Sequence, residues 1–373
     1  MDKKHVSYLD YNATAPVLPA VAEAVTGCLS TFGNPSSMHQ SGRKARSTIE
    51  TARELVAELV SASAPNVIFM SGGTEANALA LRGLMTGSGC SSVVASAIEH
   101  PSVLAHVPRQ DHIPVNGEGQ IDLVTLENML RNRPAPVLVS LMFANNETGV
   151  LQPVSDAVDL AKKFDALVHC DAVQAPGKIP INFNELGVDA MSISAHKFGG
   201  LKGTGALILR DGLKIDADIP GGGQERNRRS GTENFVGIVA FGTAALHASQ
   251  SLTSTQNITA LRDKLESKIL RTLPQAKIFS SGSSRLGNTC CVAIPGLSSE
   301  TQLIKLDLAG VAVSAGSACS SGKISPSHVL LAMGVRKADA NCAIRVSFGP
   351  SNTDADVHRF LEVWTPLALN AAT

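Results

Sequence analysis

The chain has 373 residues, more than a single core usually holds, and 44% of them are hydrophobic, so two packed domains are predicted. Its 32 basic residues balance 32 acidic ones, which excludes the positive field that nucleic acid or an anionic membrane would require. Its apolar runs are far shorter than a bilayer span, so no membrane helix is predicted. The first residues lack the apolar stretch of a secretion signal, and we expect a cytoplasmic protein.

Strand and helix patterns alternate through the first two thirds of the chain. Residues 6–9 alternate like a strand, and a helix with one apolar face runs from residue 45 to about residue 61. Short β-branched runs then predict buried strands at residues 67–70, 93–97, 137–142, 166–170, 191–194 and 206–209. Helical patterns lie between several of them, at residues 75–85, 124–131 and 154–164. The alternation predicts a doubly wound α/β domain with a mostly parallel sheet.

The last third of the chain has the pattern of a smaller α+β domain. Helical patterns at residues 235–248 and 258–273 flank a Ser/Thr-rich segment, which predicts a domain boundary near residue 250. Strands are predicted at residues 277–279, 289–293, 311–314 and 343–347, and helices at residues 301–309, 326–333 and 354–364.

The seven cysteines are scattered, with no Cys-x-x-Cys pair. An odd, scattered set argues against a disulfide framework and a zinc ribbon, and we predict no metal site. Residues 314–326 are mostly small and predict a mobile loop, in which Cys319 would be exposed. Free cysteines are usually buried and inert, and the strand pair Cys290-Cys291 is interpreted as structural.

Polar residues occur where three of the predicted strands end. Residues 70–77 indicate a strand, glycines and a helix start, where Thr74 and backbone amides would cradle a phosphate; a turn with Thr74 as an ordinary helix cap is the alternative. Asp171 follows a second strand and Lys197 a third. Because ligands bind beyond the carboxyl ends of parallel strands, we expect the three to share one ligand. A lysine, a carboxylate and a phosphate cradle are what pyridoxal phosphate (PLP) needs; a surface lysine and a capping aspartate are the alternative.

Ten motifs occur in order between residue 6 and about residue 364. They are Tyr8-Leu9-Asp10-Tyr11-Asn12-Ala13-Thr14, Gly33-Asn34-Pro35-Ser36-Ser37, Ser71-Gly72-Gly73-Thr74-Glu75, Glu99-His100, Asn145-Asn146-Glu147-Thr148-Gly149, Asp171-Ala172-Val173-Gln174, Ser194-Ala195-His196-Lys197, residues 221–234, residues 314–319 and Ile344-Arg345. As a set they resemble the cysteine desulfurases of the nitrogen-fixation and iron–sulfur-assembly branch, PLP enzymes related to the class V aminotransferases.

The resemblance implies a fold and its domains. The expected fold is the type I PLP-dependent transferase fold, an α/β fold with a mostly parallel seven-stranded sheet in the large domain and a smaller α+β domain. We expect residues 15–250 to form the large, PLP-binding domain. Residues 1–14 and 251–373 would form the small domain that carries the catalytic cysteine loop.

The resemblance also implies roles around pyridoxal 5'-phosphate. Lys197 would hold the cofactor as a Schiff base, Asp171 would pair with its ring nitrogen, and Gln174 would bond its phenolic oxygen. His100 would stack on the ring and move protons, including that of the Cys319 thiol; a capping role before Pro101 is the alternative. Further cofactor contacts are expected from Gly73, Thr74, Asn146, Ser194 and His196.

The remaining implied roles concern substrate and partners. Arg345 would bind the substrate carboxylate, with a surface ion pair as the alternative, and Asn12 and Asn146 would help to position the substrate. Thr232, in the glycine-rich loop of residues 221–234, would reach the phosphate of a partner subunit, which implies a homodimer; a solvated basic loop is the alternative. Cys319 would accept the sulfur.

The predicted function is PLP-dependent removal of sulfur from L-cysteine, giving L-alanine and a persulfide on Cys319. The persulfide would pass to an acceptor protein, such as an iron–sulfur scaffold, and no nucleic acid or membrane partner is expected. The nearest alternatives are a selenocysteine lyase and a related aminotransferase. A non-catalytic carrier is the alternative from another class.

Overall fold

A computed structural model describes residues 6–316 and 325–371 of the chain. Its strands are β1 (Ser7–Tyr8), β2 (Val67–Met70), β3 (Ser92–Ser96), β4 (His112–Ile113), β5 (Val137–Met142), β6 (Leu167–Asp171), β7 (Ala190–Ser194), β8 (Gly205–Leu209), β9 (Lys277–Ile278), β10 (Thr289–Ala293), β11 (Val311–Ala312), β12 (Ser314–Ala315) and β13 (Ala343–Ser347). Its helices are α1 (Pro19–Cys28), α2 (Gln40–Leu59), α3 (Gly73–Gly87), α4 (Pro101–Leu104), α5 (Leu123–Arg131), α6 (Val154–Lys162), α7 (Phe183–Leu186), α8 (Gln224–Asn227), α9 (Phe235–Gln250), α10 (Thr255–Thr272), α11 (Ser299–Leu308), α12 (His328–Ala332), α13 (Lys337–Ala340) and α14 (Asp354–Ala371).

A seven-stranded sheet organises the first two thirds of the chain. Its strand order is β2-β8-β7-β6-β5-β3-β4. Neighbouring strands pair in parallel, except that β8 is antiparallel to both β2 and β7. The predicted α/β fold with a mostly parallel seven-stranded sheet is therefore confirmed. Because β3, β5, β6 and β7 run in the same direction, their carboxyl ends lie along one edge of the sheet.

Helices pack on the sheet through their apolar faces. α2 buries one stripe of side chains, which includes Ala45, Ile49 and Val56. α9 lies directly against it, since a Cβ on Gly242 would come within 2.7 Å of the Cα of Ala52. Only glycine permits such a close approach of two helices. α3 packs on the opposite face of the sheet, where alternate residues of the same strands form a separate apolar cluster.

The C-terminal third forms the smaller α+β part. An antiparallel sheet has the order β12-β13-β10-β9, and β1 pairs in parallel with β11. Leu9, next to β1, belongs to the same buried core as Phe360 and Trp364 of α14. The N-terminal segment is thus stabilised by the C-terminal third of the chain. The predicted domain boundaries, 15–250 against 1–14 with 251–373, stay a prediction.

One predicted strand is wrong. The range of residues 311–314 contains β11 and the first residue of β12, with Val313 between them. β11 pairs with β1, and β12 pairs with β13 in a different sheet. A short β-branched run shows that strand is favoured but not which partner it finds, because distant residues supply the pairing. The predicted strands at residues 67–70, 137–142, 289–293 and 343–347 have the observed bounds.

No single helix in the described part of the chain is long and apolar enough to cross a membrane. α9 and α10 reach that length only as a pair, which is bent by 76°. Residues of α9 belong to the core that packs on the large sheet.

Candidate active site

Several elements of the large sheet end at one cavity of about 390 Å³. β6 ends at Asp171, a 3₁₀ turn after β7 carries Lys197, and α3 begins at Gly73. The predicted site residues that line the cavity are Asn12, Gly73, Thr74, His100, Asn146, Asp171, Gln174, Ser194, His196, Lys197 and Arg345. Thr232 lies elsewhere, and Cys319 lies outside the described residues.

The Lys197 amine points at the N-terminal segment of the chain. Its Nζ donates hydrogen bonds to the backbone oxygens of Asn12, at 2.6 Å, and Ala13, at 3.0 Å. A surface lysine, the alternative for this residue, is excluded because Lys197 is half-buried and lines the cavity. Its amine therefore lies where it can meet a ligand.

Asp171 is buried at the end of β6. Its Oδ2 accepts from Asn77 Nδ2 at 2.7 Å, and its Oδ1 accepts from the amide of Val173 at 3.0 Å. Asn77 Nδ2 also donates to Ser102 Oγ, at 2.9 Å. Sequence reasoning assigned no role to Asn77, although one signal was available, since it is an amide on the buried face of α3 among alanines and leucines.

His100 both caps a helix and lines the cavity. Its Nδ1 accepts from the amide of Ser102 at 3.1 Å, at the start of α4, so the alternative of a capping role is correct but incomplete. Ser102 Oγ lies 2.7 Å from the same nitrogen. Burial lowers the pKa of His100, Lys197 and His328 lower it further, and Asp171 opposes the shift. Because the Ser102 amide donates to Nδ1, the neutral ring carries its proton on Nε2, and the Ser102 hydroxyl can also donate to Nδ1.

The start of α3 offers a phosphate site. Gly72 occupies the cap position with no side-chain hydrogen bond, so the alternative of Thr74 as the helix cap is wrong. Backbone amides at such an end bind anions. A Cβ on Gly73 would lie 2.8 Å from Val173 Cγ2, so glycine keeps this part of the cavity open. His196 also lines the cavity, and burial, with Lys197 and Lys202, lowers its pKa to about 4.

Arg345 is a buried cation, with 3% of its surface exposed, which excludes a surface ion pair. Its Nη2 pairs with Asp10 Oδ1 at 2.7 Å and its Nη1 donates to the backbone oxygen of Asn146 at 3.1 Å. Its Nε is buried and has no hydrogen-bond partner within the described residues. A guanidinium with an unsatisfied buried donor at a cavity wall is suited to bind a carboxylate.

Behind the cavity, Asn12, Gln174 and Lys178 share hydrogen bonds. Gln174 Nε2 donates to the backbone oxygen of Asn12 at 2.9 Å, the oxygen that Lys197 also bonds. Lys178 Nζ donates to Gln174 Oε1 and to Asn12 Oδ1. Lys178 could not be singled out from the sequence, because the order of residues does not show that its amine contacts Gln174.

Thr232 is exposed and lines a different cavity, of about 250 Å³. Its loop is held by a buried ion pair, in which Arg53 donates to both carboxylate oxygens of Glu225, at 2.7 and 2.9 Å. Glu225 and the next residue have left-handed backbone, with φ of 42° and 58°. The alternative of a merely solvated loop does not fit such anchoring. Within one chain, however, Thr232 does not reach the cavity that Lys197 and Asp171 line.

Five of the six cysteines in the described part of the chain are buried, and Cys28 is half-buried. Cys290 and Cys291 lie buried on β10, as the sequence suggested, and burial raises the pKa of both thiols. The predicted mobile loop around Cys319 falls mostly on residues 317–324, outside the description, while Ser314 and Ala315 before it form β12. Gly316 lines the cavity. No group of three metal-ligating side chains occurs in residues 6–316 and 325–371.

Comparison with known proteins agrees with this fold and site. The class V aminotransferase family matches residues 7–360. A cysteine desulfurase from Cereibacter sphaeroides is 43% identical over 371 residues, which cover 96% of this chain and 95% of that protein. The solved structure of a NifS-like protein from Rickettsia africae has a TM-score of 0.90 at 37% identity, covering 97% of this chain and 99% of that one. SspA, solved in complex with cysteine, has a TM-score of 0.78 at 29% identity, over 93% of this chain and 99% of SspA.

The chain therefore belongs to the class V aminotransferases, a family of PLP-dependent enzymes. The sheet, the lysine and the carboxylate at its strand ends agree with that membership. Within the family the chain is a cysteine desulfurase, which uses PLP to remove sulfur from L-cysteine. The alternatives of an aminotransferase and of a non-catalytic carrier are set aside by this result.

The residues in the cavity fit PLP. An amine, a buried carboxylate, the uncapped start of α3 and a buried arginine with an unpartnered Nε supply the groups that the cofactor and an amino-acid substrate need. The N-terminal segment, the large sheet and β13 each contribute side chains. The cavity is therefore assembled from both ends of the chain.

Proposed function

We propose that the cavity beyond β6 and β7 is the desulfurase active site, with the roles that follow. The observation that carries the proposal is the convergence of Lys197, Asp171, Thr74 and Arg345 on one cavity. Lys197 holds the cofactor through its amine. Thr74, with Gly73, Ser194 and His196, holds the phosphate. The structural neighbour SspA was solved in complex with cysteine, which supports cysteine as the substrate of this site.

PLP, when bound, supplies an electron sink for the bonds around the substrate's α carbon. Asp171 keeps a proton on the ring nitrogen, because its carboxylate favours the charged form of that nitrogen. Asn77 and the Val173 amide hold the carboxylate in one orientation. Gln174 would donate to the phenolic oxygen of the bound cofactor, and His100 would lie against its ring.

The substrate is oriented by its carboxylate. Arg345 binds it, and the ion pair with Asp10 keeps the guanidinium in place before the substrate arrives. Asn12 and Asn146 complete this side of the site. Asn12 is tied to Asn146 by a hydrogen bond of 3.1 Å from its side chain to the backbone oxygen, so the two act as one wall.

The sulfur leaves on Cys319. L-cysteine and the Cys319 thiol give L-alanine and a Cys319 persulfide: the carbon–sulfur bond of the substrate breaks, a sulfur–sulfur bond forms, and the thiol proton replaces sulfur on the carbon. The attack needs a thiolate, and an unperturbed cysteine with a pKa of about 8.5 is only slightly ionised at neutral pH. His100 is the group that exchanges this proton with the thiol.

We further propose a homodimer in which Thr232 contacts the phosphate in the partner's cavity, and a cytoplasmic acceptor protein for the persulfide sulfur, of the kind that builds iron–sulfur clusters. The buried anchoring of the Thr232 loop supports the dimer, since a solvated loop would not need it. Residues 15–250 form the large domain, and residues 1–14 with 251–373 form the small one; the packing of Leu9 with Trp364 supports this division.

The test replaces the sulfur acceptor. Cys319→Ala should reduce sulfide and persulfide formation by roughly a thousandfold, because no nucleophile receives the sulfur, while the visible band of the bound cofactor is unchanged. The matched control is Cys28→Ala, which removes a half-buried thiol outside the proposed site and should leave turnover intact. Alanine should form without any oxo acid, which separates the reaction from transamination.

Mass spectrometry locates the product sulfur. After addition of cysteine to the wild-type enzyme, the peptide that contains Cys319 should carry one extra sulfur, and the peptide with Cys290 and Cys291 none. Release of sulfide by the alanine variant at the wild-type rate would show direct elimination, and the persulfide role of Cys319 would be abandoned.

A further inference from the structure

A second lysine, Lys178, lies near Lys197 but outside the lining of the cofactor cavity. Lys178 is half-buried, at the border between the cofactor cavity and a neighbouring space of about 460 Å³ between the large sheet and the C-terminal part. Lys197 lines both spaces. Its position makes Lys178 a candidate for a role at the site, although it is not among the side chains that line the cofactor cavity.

The contacts of Lys178 are specific. Its Nζ donates to Gln174 Oε1 at 2.6 Å and to Asn12 Oδ1 at 2.9 Å. Asn12 Oδ1 also accepts from Asn288 Nδ2 at 3.0 Å, which fixes the Asn12 side chain from a third direction. The amine thus binds two carbonyl oxygens of side chains that line the active site.

These bonds determine which way the Gln174 amide faces. An amine donates and a carbonyl oxygen accepts, so Lys178 selects the rotamer with Oε1 toward itself. The Nε2 group must then face the other way, and it donates to the Asn12 backbone oxygen that Lys197 also contacts. Without Lys178, the Asn12 backbone oxygen alone would favour this orientation of the Gln174 amide.

The hydrogen bond that orients the Gln174 amide does not depend on the charge of Lys178. Burial lowers the pKa of Lys178 well below its usual value, and the positive charges of Lys197 and Arg345 lower it further. A neutral amine still has two N–H donors, one for each oxygen. The orientation of Gln174 is therefore kept in either protonation state.

We propose that Lys178 is a positioning residue, which holds Oε1 of the Gln174 amide toward itself, so that the second N–H of Nε2 can bond the phenolic oxygen. This inference rests on the proposed function, in which Gln174 meets that oxygen. Lys178 touches neither substrate nor cofactor. It acts through Gln174 and Asn12.

The experiment is a double-mutant cycle. The measured quantity is the pH midpoint of the visible absorption band of the bound cofactor, the pH at which half of the change in the band has occurred. Gln174→Ala should raise the pH midpoint of the band by about one unit, because the phenolate loses a hydrogen bond and holds the neighbouring proton more tightly. Lys178→Met should raise it by most of that amount. In the Gln174→Ala background, Lys178→Met should add nothing.

The controls separate positioning from charge and from damage to the fold. Lys202→Met removes an exposed lysine near His196 and should leave the midpoint unchanged. Lys178→Gln keeps an N–H donor on a shorter side chain, and its midpoint should fall between those of the wild type and Lys178→Met. It also keeps the test open if the methionine variant does not fold.

An equal midpoint shift from Lys178→Met in both Gln174 backgrounds would overturn the proposal, since Lys178 would then act directly through its charge. An unchanged midpoint in Lys178→Met would overturn it as well. Failure of the proposed function gives a different result: borohydride would then trap the cofactor on a residue other than Lys197 in the wild-type enzyme.

Discussion

The cofactor cavity and the loop of residues 221–234 were both predicted to bind one phosphate, but they do not meet within one chain. Gly73 and Thr74 lie in the same cavity as Lys197, whereas Thr232 is exposed and lines another cavity. Parallel strands that share a direction bring their ends together within one chain. The proposed contact of Thr232 with the neighbouring subunit's site does not require it to approach the cofactor of its own chain. One chain therefore contains a lysine, a carboxylate and a helix start, but only part of the proposed phosphate site.

The largest expected effect within the cavity is that of Asp171. Asp171→Asn should bind cofactor but lose turnover by roughly a thousandfold, because an amide cannot keep the ring nitrogen protonated. The matched control is Glu99→Gln. Glu99 is also a buried carboxyl group, but burial, and after it the Asp171 charge, raises its pKa well above the usual value, which favours its neutral form. Steady-state kinetics should show a small change for Glu99→Gln; equal losses in both variants would contradict the role of Asp171.

Beneath the cavity, a histidine should make stability depend on pH. His169 is fully buried between Ser140 and Ser192, and burial lowers its pKa to about 4. In the unfolded chain the same group has a pKa of about 6.5, so the unfolded state binds the proton first. Its contribution to folding is complete above pH 6.5 and is lost as the pH falls toward 4, by about 3 kcal/mol.

Denaturant unfolding of the cofactor-free protein between pH 7 and pH 4 measures this loss. His169→Asn should flatten the pH dependence, and His358→Asn, at an exposed position of α14, should not. An unchanged slope in His169→Asn would mean that this histidine is not held neutral in the fold.

Mixed subunits distinguish the two residues that are proposed to contact the phosphate, Thr74 and Thr232. Thr74→Ala and Thr232→Ala should each weaken cofactor binding by roughly tenfold, the loss of one hydrogen bond to a charged group. Each variant is then co-assembled with Lys197→Ala subunits, which bind no cofactor through a lysine. With Thr232→Ala, the Lys197→Ala partner supplies an intact Thr232, so one normal site should return. With Thr74→Ala no normal site can form, and restored binding there, or none with Thr232→Ala, would contradict the shared site.

The sequence predicted best what depends on local pattern and strand direction. Asp171, Lys197 and Thr74 could be grouped because each follows a buried strand, and the parallel order of those strands does the rest. The pairing of β11 with β1 was missed, since nothing local distinguishes it from β12. The contacts of Asn77 and Lys178 were missed for a related reason: a polar side chain shows its partner only once the chain is folded. Arg345 required the family resemblance, because its pairing with Asp10 joins opposite ends of the chain.

In the proposed site, Lys197 holds the cofactor in the cavity at the strand ends. Borohydride reduction of the purified enzyme, followed by peptide mapping, identifies the lysine involved, because reduction fixes the cofactor to the amine that carries it. We expect one pyridoxyl-labelled peptide, with the label on Lys197. A label on Lys178 or Lys202 instead would contradict it.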